Sequence, residues 1–248
     1  MPVWQAIYEE LSGHGFVILG VSLDTAGERA AGSFARSAEA GPLARNLPAG
    51  VKLARATYPL LRDEQHVVAQ LYGITNVPVA VWIDERGRIV RPPEPAGSYD
   101  VVKHIDVKTF AIPEEITRRA SQVRSTYFDA VRDWVKNGEK SRFALSPAEV
   151  ARRARGIGDA AARGHACFAL GAWLWRNGQR DASKRWLEEA VAAQPENWAF
   201  RRQKIALADD AAIGNFAATP EFWGAVQKTA EAGERYYDLI DMPGMPED

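Results

Sequence analysis

Apolar positions in the first ninety residues switch repeatedly between a helical and an extended pattern. Val3, Trp4, Ile7, Tyr8 and Leu11 recur at helical spacing, so residues 2–12 are predicted as a helix that stops at Gly13. Phe16-Val17-Ile18-Leu19-Gly20-Val21 is apolar throughout and rich in β-branched side chains, the pattern of a strand covered on both faces. A helix is predicted over residues 26–38, ended by Gly41-Pro42. Tyr58-Pro59-Leu60-Leu61 is a short extended piece whose proline suits an edge strand. Residues 64–72 form a helix stopped by Gly73, and Val79-Ala80-Val81-Trp82-Ile83-Asp84 forms a second buried strand. Glu85-Arg86-Gly87-Arg88 then turns the chain into Ile89-Val90-Arg91, a hairpin signal, and Pro92-Pro93-Glu94-Pro95-Ala96-Gly97-Ser98 marks a boundary.

Beyond that boundary every periodic stretch is helical. Pro113-Glu114-Glu115 supplies an N1-type proline and two acids that suit the helix dipole, and the helix they open runs to about Gly138. Ser146-Pro147-Ala148-Glu149 combines an N-cap, an N1 proline and a capping-box acid. Leu170-Gly171, Leu174, Gly178, Ala182, Trp186, Ala190 and Pro195 resemble a tetratricopeptide repeat, a helical hairpin of roughly 34 residues, with Ser183 where alanine is usual. The resulting layout is an α/β domain over 1–97, a linker over 98–112 and an all-α domain over 113–248 with its repeat-like hairpin near 164–197.

Charge and cysteine content narrow the chemistry. Lys plus Arg number 31 against 32 acids in 248 residues, so no strongly basic surface for nucleic acid is expected. No apolar run reaches the ~20 residues of a membrane helix, and the first residues lack the basic start of a signal peptide. One cysteine, Cys167, excludes an internal disulfide, and with four scattered histidines it makes neither a zinc cage nor any other metal site. Cys167 reads as a small core residue among Ala166, Phe168 and Ala169. His14 reads as a turn residue, while His66, His104 and His165 read as surface or hydrogen-bonded histidines. Asp24 and Asp84 end strands and read as caps of the following turns. The short runs Arg152-Arg153 and Arg201-Arg202 read as solvated faces, and Trp134, Trp173, Trp175, Trp186, Trp198 and Trp223 as helix-core residues.

Three segments carry a family resemblance. Gly20-Val21-Ser22-Leu23-Asp24, Tyr58-Pro59-Leu60-Leu61-Arg62-Asp63 and Tyr72-Gly73-Ile74-Thr75-Asn76-Val77-Pro78, the last followed by Ile83-Asp84-Glu85-Arg86-Gly87-Arg88-Ile89-Val90, resemble the redoxin branch of the thioredoxin fold. That branch includes alkyl hydroperoxide reductase/thiol-specific antioxidant proteins and TlpA/ResA-like thiol-disulfide oxidoreductases. The resemblance implies a cis Val77-Pro78 bond and a substrate groove shaped by Asn76, Val77 and Pro78, where the backbone of Val77 pairs with an extended substrate. In the family a central strand precedes the first helix and ends in a Trp-x-x-Cys-x-x-Cys type segment, and Met1-Pro2 matches the turn just after it.

The resemblance therefore implies a thiol-disulfide oxidoreductase or peroxide-reducing protein with no cofactor, whose reactive cysteine or selenocysteine lies upstream of Met1. No catalytic residue falls within these 248, and the substrates implied are a protein disulfide or a peroxide. The alternative is a non-catalytic adaptor, a thioredoxin-fold remnant with helical repeats that bind a protein partner. As written the chain is expected in the cytoplasm; an export leader upstream, which many TlpA/ResA-like proteins carry, would place it outside or at a membrane. A missing central strand leaves two apolar sheet edges uncovered, so self-association is expected.

Overall fold

The computed structural model describes residues 2–30, 56–106, 109–154 and 156–246. Its elements are, in order, α1 (Pro2–Leu11), β1 (Gly20–Ser22), β2 (Leu60–Arg62), α2 (Val67–Tyr72), β3 (Val79–Ile83), β4 (Ile89–Pro95), α3 (Glu114–Asn137), α4 (Pro147–Arg153), α5 (Asp159–Arg176), α6 (Arg180–Ala193), α7 (Trp198–Ala208) and α8 (Pro220–Glu231). The described residues are mixed α/β, with two small two-stranded sheets and a helical C-terminal part. Most of the helix expected over 26–38, with its Gly41-Pro42 stop, lies outside the described residues. Among the described residues no helix is long and apolar enough to cross a membrane.

The chain forms two compact units, and each is built from two separate stretches of the sequence. One comprises Met1–Leu71 with Ile157–Thr219, the other Tyr72–Gly156 with Pro220–Asp248. The proline-rich stretch expected as a boundary instead continues β4 as far as Pro95, and the residues after it, Ala96, Tyr99 and Asp100, are buried.

In the first unit β1 and β2 pair in parallel, Gly20 opposite Leu60 and Val21 opposite Leu61. A Cβ on Gly20 would lie 2.6 Å from Leu60 Cδ2 and 3.2 Å from Tyr58 Cε2, so glycine leaves room here for those two side chains. Burial on both faces, expected from the apolar run, is not found. Val17 and Leu19 are 64% and 61% exposed, and Leu60 and Leu61 are also exposed. The strand itself is also shorter than expected: only Gly20–Ser22 pairs, and residues 16–19 lie ahead of it without regular structure. Gln5 fixes α1, its amide donating to Thr57 Oγ1 (2.9 Å) and accepting from the Thr57 N–H (2.8 Å). α2 starts later than the apolar pattern suggests, because His66 is in the left-handed region (φ 56°) and the Asp63 carboxylate caps the N–H groups of Val67 and Ala69.

The expected helical hairpin forms from α5 and α6, with its first helix beginning earlier, at Asp159. A Cβ on Gly171 would meet Leu187 Cγ at 3.0 Å and the Leu187 backbone nitrogen at 3.2 Å, which shows how closely the helices pack. Ser183 is fully buried and donates from Oγ to the Gly171 carbonyl (2.8 Å), which accounts for its departure from alanine. α7 completes a core of Phe168, Ala172, Trp175, Leu187 and Phe200, in which Cys167 is buried as expected.

In the second unit β3 and β4 form the expected antiparallel hairpin. β4 carries Pro92, Pro93 and Pro95, which an edge strand tolerates because it needs fewer ladder donors. β3 is less covered than expected: Trp82 is buried, whereas Ile83 is 42% exposed. Trp82 stacks on Trp134 (5.0 Å) and donates to the Tyr127 hydroxyl (2.8 Å). α3 lies where Pro113-Glu114-Glu115 predicts it, with Ile116, Ala120, Val123, Tyr127 and Val131 as its buried stripe. Ser146 caps α4, accepting from the Glu149 N–H.

Candidate functional site

Gly73, at φ 67°, ends α2 and releases the chain into the loop that carries Asn76, Val77 and Pro78. The Asn76 side chain folds back so that its Oδ1 accepts the Val77 N–H (2.8 Å). The Val77-Pro78 bond is cis, as the motif implies, and Pro78 leads directly into β3. Val77 is half-buried and Pro78 exposed.

The structure adds residues that local sequence patterns did not single out. Asn76 Nδ2 donates to the Tyr236 carbonyl, and the Tyr237 hydroxyl donates to the Val77 carbonyl at 3.2 Å. The buried Asp100 carboxylate holds this tail by accepting the Tyr236 N–H at 2.9 Å and that of Tyr237. Burial raises the Asp100 carboxyl above its ordinary range, against the two N–H groups and the nearby Lys103 and His104, which lower it. Behind the tail runs a ladder of rings: Tyr237 to Tyr236 (4.7 Å), Tyr236 to Phe222 (6.1 Å), Phe222 to Trp223 (5.2 Å) and Trp223 to Phe110 (5.3 Å). The available signal was two adjacent tyrosines in a tail without helical period.

A second polar cluster in the same unit reaches the same tail. Arg91 is fully buried and binds the Glu94 carboxylate through two nitrogens (2.7 and 2.8 Å). It also donates to the carbonyls of Phe143 and Asp241, each at 2.8 Å. Burial pushes the Glu94 carboxyl up, with Arg91 opposing it.

The remaining candidates behave as structural groups. Asp84 caps its turn, accepting the N–H groups of Arg86 and Arg88, and the Arg88 guanidinium holds its carboxyl below the usual range. Arg202 is buried rather than solvated, its guanidinium 5.6 Å from the Phe216 ring, and Trp173 is half exposed rather than in the core. His66 is buried and bonded to Leu23, while burial lowers the His165 imidazole. Among the described residues no three His, Cys, Asp or Glu side chains are grouped to hold a metal ion.

No protein-family model, curated protein or solved structure matches this chain.

Proposed function

We propose that the chain is part of a redoxin-type thiol-disulfide oxidoreductase or peroxide-reducing protein built on a thioredoxin-like fold, with a tetratricopeptide-like hairpin in its helical part. Its reactive cysteine or selenocysteine comes from residues upstream of Met1. Asn76, Val77 and Pro78 shape the groove for the substrate. The thiolate or selenolate attacks one sulfur of a substrate disulfide, the other sulfur leaves as a thiol, and a second thiol resolves the mixed disulfide.

The observation that carries this reading is the succession of two separate two-stranded sheets among the described residues. A parallel β1–β2 pair, then α2, then an antiparallel β3–β4 hairpin is the order a thioredoxin-like fold has around its central strand. Val21 on β1 and Ile83 on β3 are exposed, as are Val17 and Leu19 just ahead of β1. In such a fold a central strand pairs with the free backbone edges and the helices beside it cover the faces.

The test is enzymatic. With the upstream segment restored, the protein is expected to reduce insulin disulfides or consume a hydroperoxide with dithiothreitol as reductant, and Cys167→Ser should leave that activity unchanged. Activity in the 248-residue chain that disappears in Cys167→Ser would overturn the reading. A specific observation favours the adaptor reading as the alternative: Leu170 and Trp173, one turn apart on α5, are 38% and 50% exposed. An inactive extended protein would favour it over the enzyme.

A further inference from the structure

The main-chain groups of Val77 are both engaged within the chain, but by bonds of different quality. The N–H is held at 2.8 Å by the adjacent Asn76 side chain, in a local turn. The carbonyl accepts the Tyr237 phenol at 3.2 Å, well beyond the ~2.7–2.8 Å usual for a hydroxyl donor. The backbone carrying Tyr237 is fixed independently of that bond. Asp100 takes the N–H of Tyr236, Asn76 donates to the Tyr236 carbonyl, and the Tyr236 ring is buried. Farther along, Ile240 and Met242 are buried and Arg91 holds the Asp241 carbonyl. A firmly anchored tail thus presents, at the carbonyl where a strand would add, a half-buried side chain that rests against the Tyr236 ring (4.7 Å) and reaches that carbonyl only through a long bond.

We propose that Tyr237 is a displaceable gate over the Val77 carbonyl, occupying the position of a substrate's backbone N–H until an extended peptide replaces it. This rests on the reading of Asn76, Val77 and Pro78 as a substrate groove. The phenol rotates away about its own side-chain torsions while Asp100 keeps the tail in place, so opening requires no unfolding of the segment. The groove selects chains that can offer a main-chain donor, that is, unfolded or locally extended polypeptide, over compact ligands.

The experiment uses the full chain and fluorescently labelled oxidised insulin B chain as the extended peptide, with affinity read by anisotropy. Tyr237→Phe keeps the ring and removes only the hydroxyl, and it is expected to bind roughly two- to tenfold more tightly than wild type, the range of one net hydrogen bond. Hydrogen exchange on the wild-type complex should slow in the loop around Val77 while the Tyr236 and Tyr237 amides keep their protection. Equal or weaker binding by Tyr237→Phe overturns the gate, as does loss of protection at Tyr236. Failure of both proteins to bind also overturns it, and leaves the redoxin reading to be decided by the reductase assay of the extended protein.

Discussion

His66 Nε2 donates to the Leu23 carbonyl across 2.6 Å, and the same ring lies 4.2 Å from that of Phe168. A carbonyl can only accept, so a proton sits on Nε2, and a second one on Nδ1 would be buried without a hydrogen-bond acceptor. Burial lowers its pKa from 6.5 to about 4. Between those values the unfolded chain binds a proton that the native state refuses, so stability falls as pH drops from 6.5 towards 4, by on the order of 3 kcal/mol. Glu94 and Asp100, whose carboxyls are raised, contribute with the opposite sign, and comparison with a variant separates the terms. Urea unfolding at pH 7 and pH 4.5 should show a large loss in wild type and a much smaller one in His66→Asn, a residue that tolerates the positive φ. Equal losses would contradict this assignment.

Two glycines in helices should respond with opposite signs. Gly224 in α8 faces open space, so Gly224→Ala is expected to stabilise by ~0.5–1 kcal/mol. In Gly171→Ala the new methyl presses on Leu187, including its backbone nitrogen, and a loss of ~1–3 kcal/mol is expected despite the gain in propensity. Thermal unfolding of both variants checks the pair, and a stabilised Gly171→Ala would show that α5 and α6 are less tightly packed.

Arg91→Met removes a buried cation from Glu94 and from the carbonyls of Phe143 and Asp241. The carboxylate is left desolvated and unpaired, so a loss of ~3–5 kcal/mol is expected. The double variant Arg91→Met with Glu94→Gln should recover part of it. Chemical denaturation that finds the double variant no better than the single one would mean that the two carbonyl bonds, not the ion pair, account for the cost.

The exposed apolar segment leading into β1 predicts association. Light scattering should find the 248-residue chain above monomer mass at micromolar concentration, and Val17→Lys with Leu19→Lys should lower that mass without changing the helical circular dichroism. A wild-type chain that remains monomeric would show that exposed Val17 and Leu19 do not drive self-association.

Local chemistry made some of this structure readable in advance. Pro113-Glu114-Glu115 placed the start of α3, Ser146 capped α4, and the spacing of Gly171 and Ala190 indicated the α5–α6 hairpin because each feature acts within a turn or two. What failed depended on partners distant in sequence. Pro92, Pro93 and Pro95 look like a linker until β3 supplies a neighbour for an edge strand. Val17 and Leu19 look buried because composition records hydrophobicity, not cover. Of the candidate loop, the cis Val77-Pro78 bond was legible from its motif. Tyr236, Tyr237 and Asp100 were not, since a tail joined to a loop 160 residues earlier leaves no periodic trace.

The central claim is that a redox-active segment completes this protein from upstream of Met1. Peptide mass mapping of the protein purified from its native source tests it most directly. The account predicts N-terminal peptides extending past Met1 by roughly 20–30 residues, the length of a strand and a redox segment, and containing cysteine or selenocysteine. A native protein whose first residue is Met1, or whose extension carries neither, would contradict it.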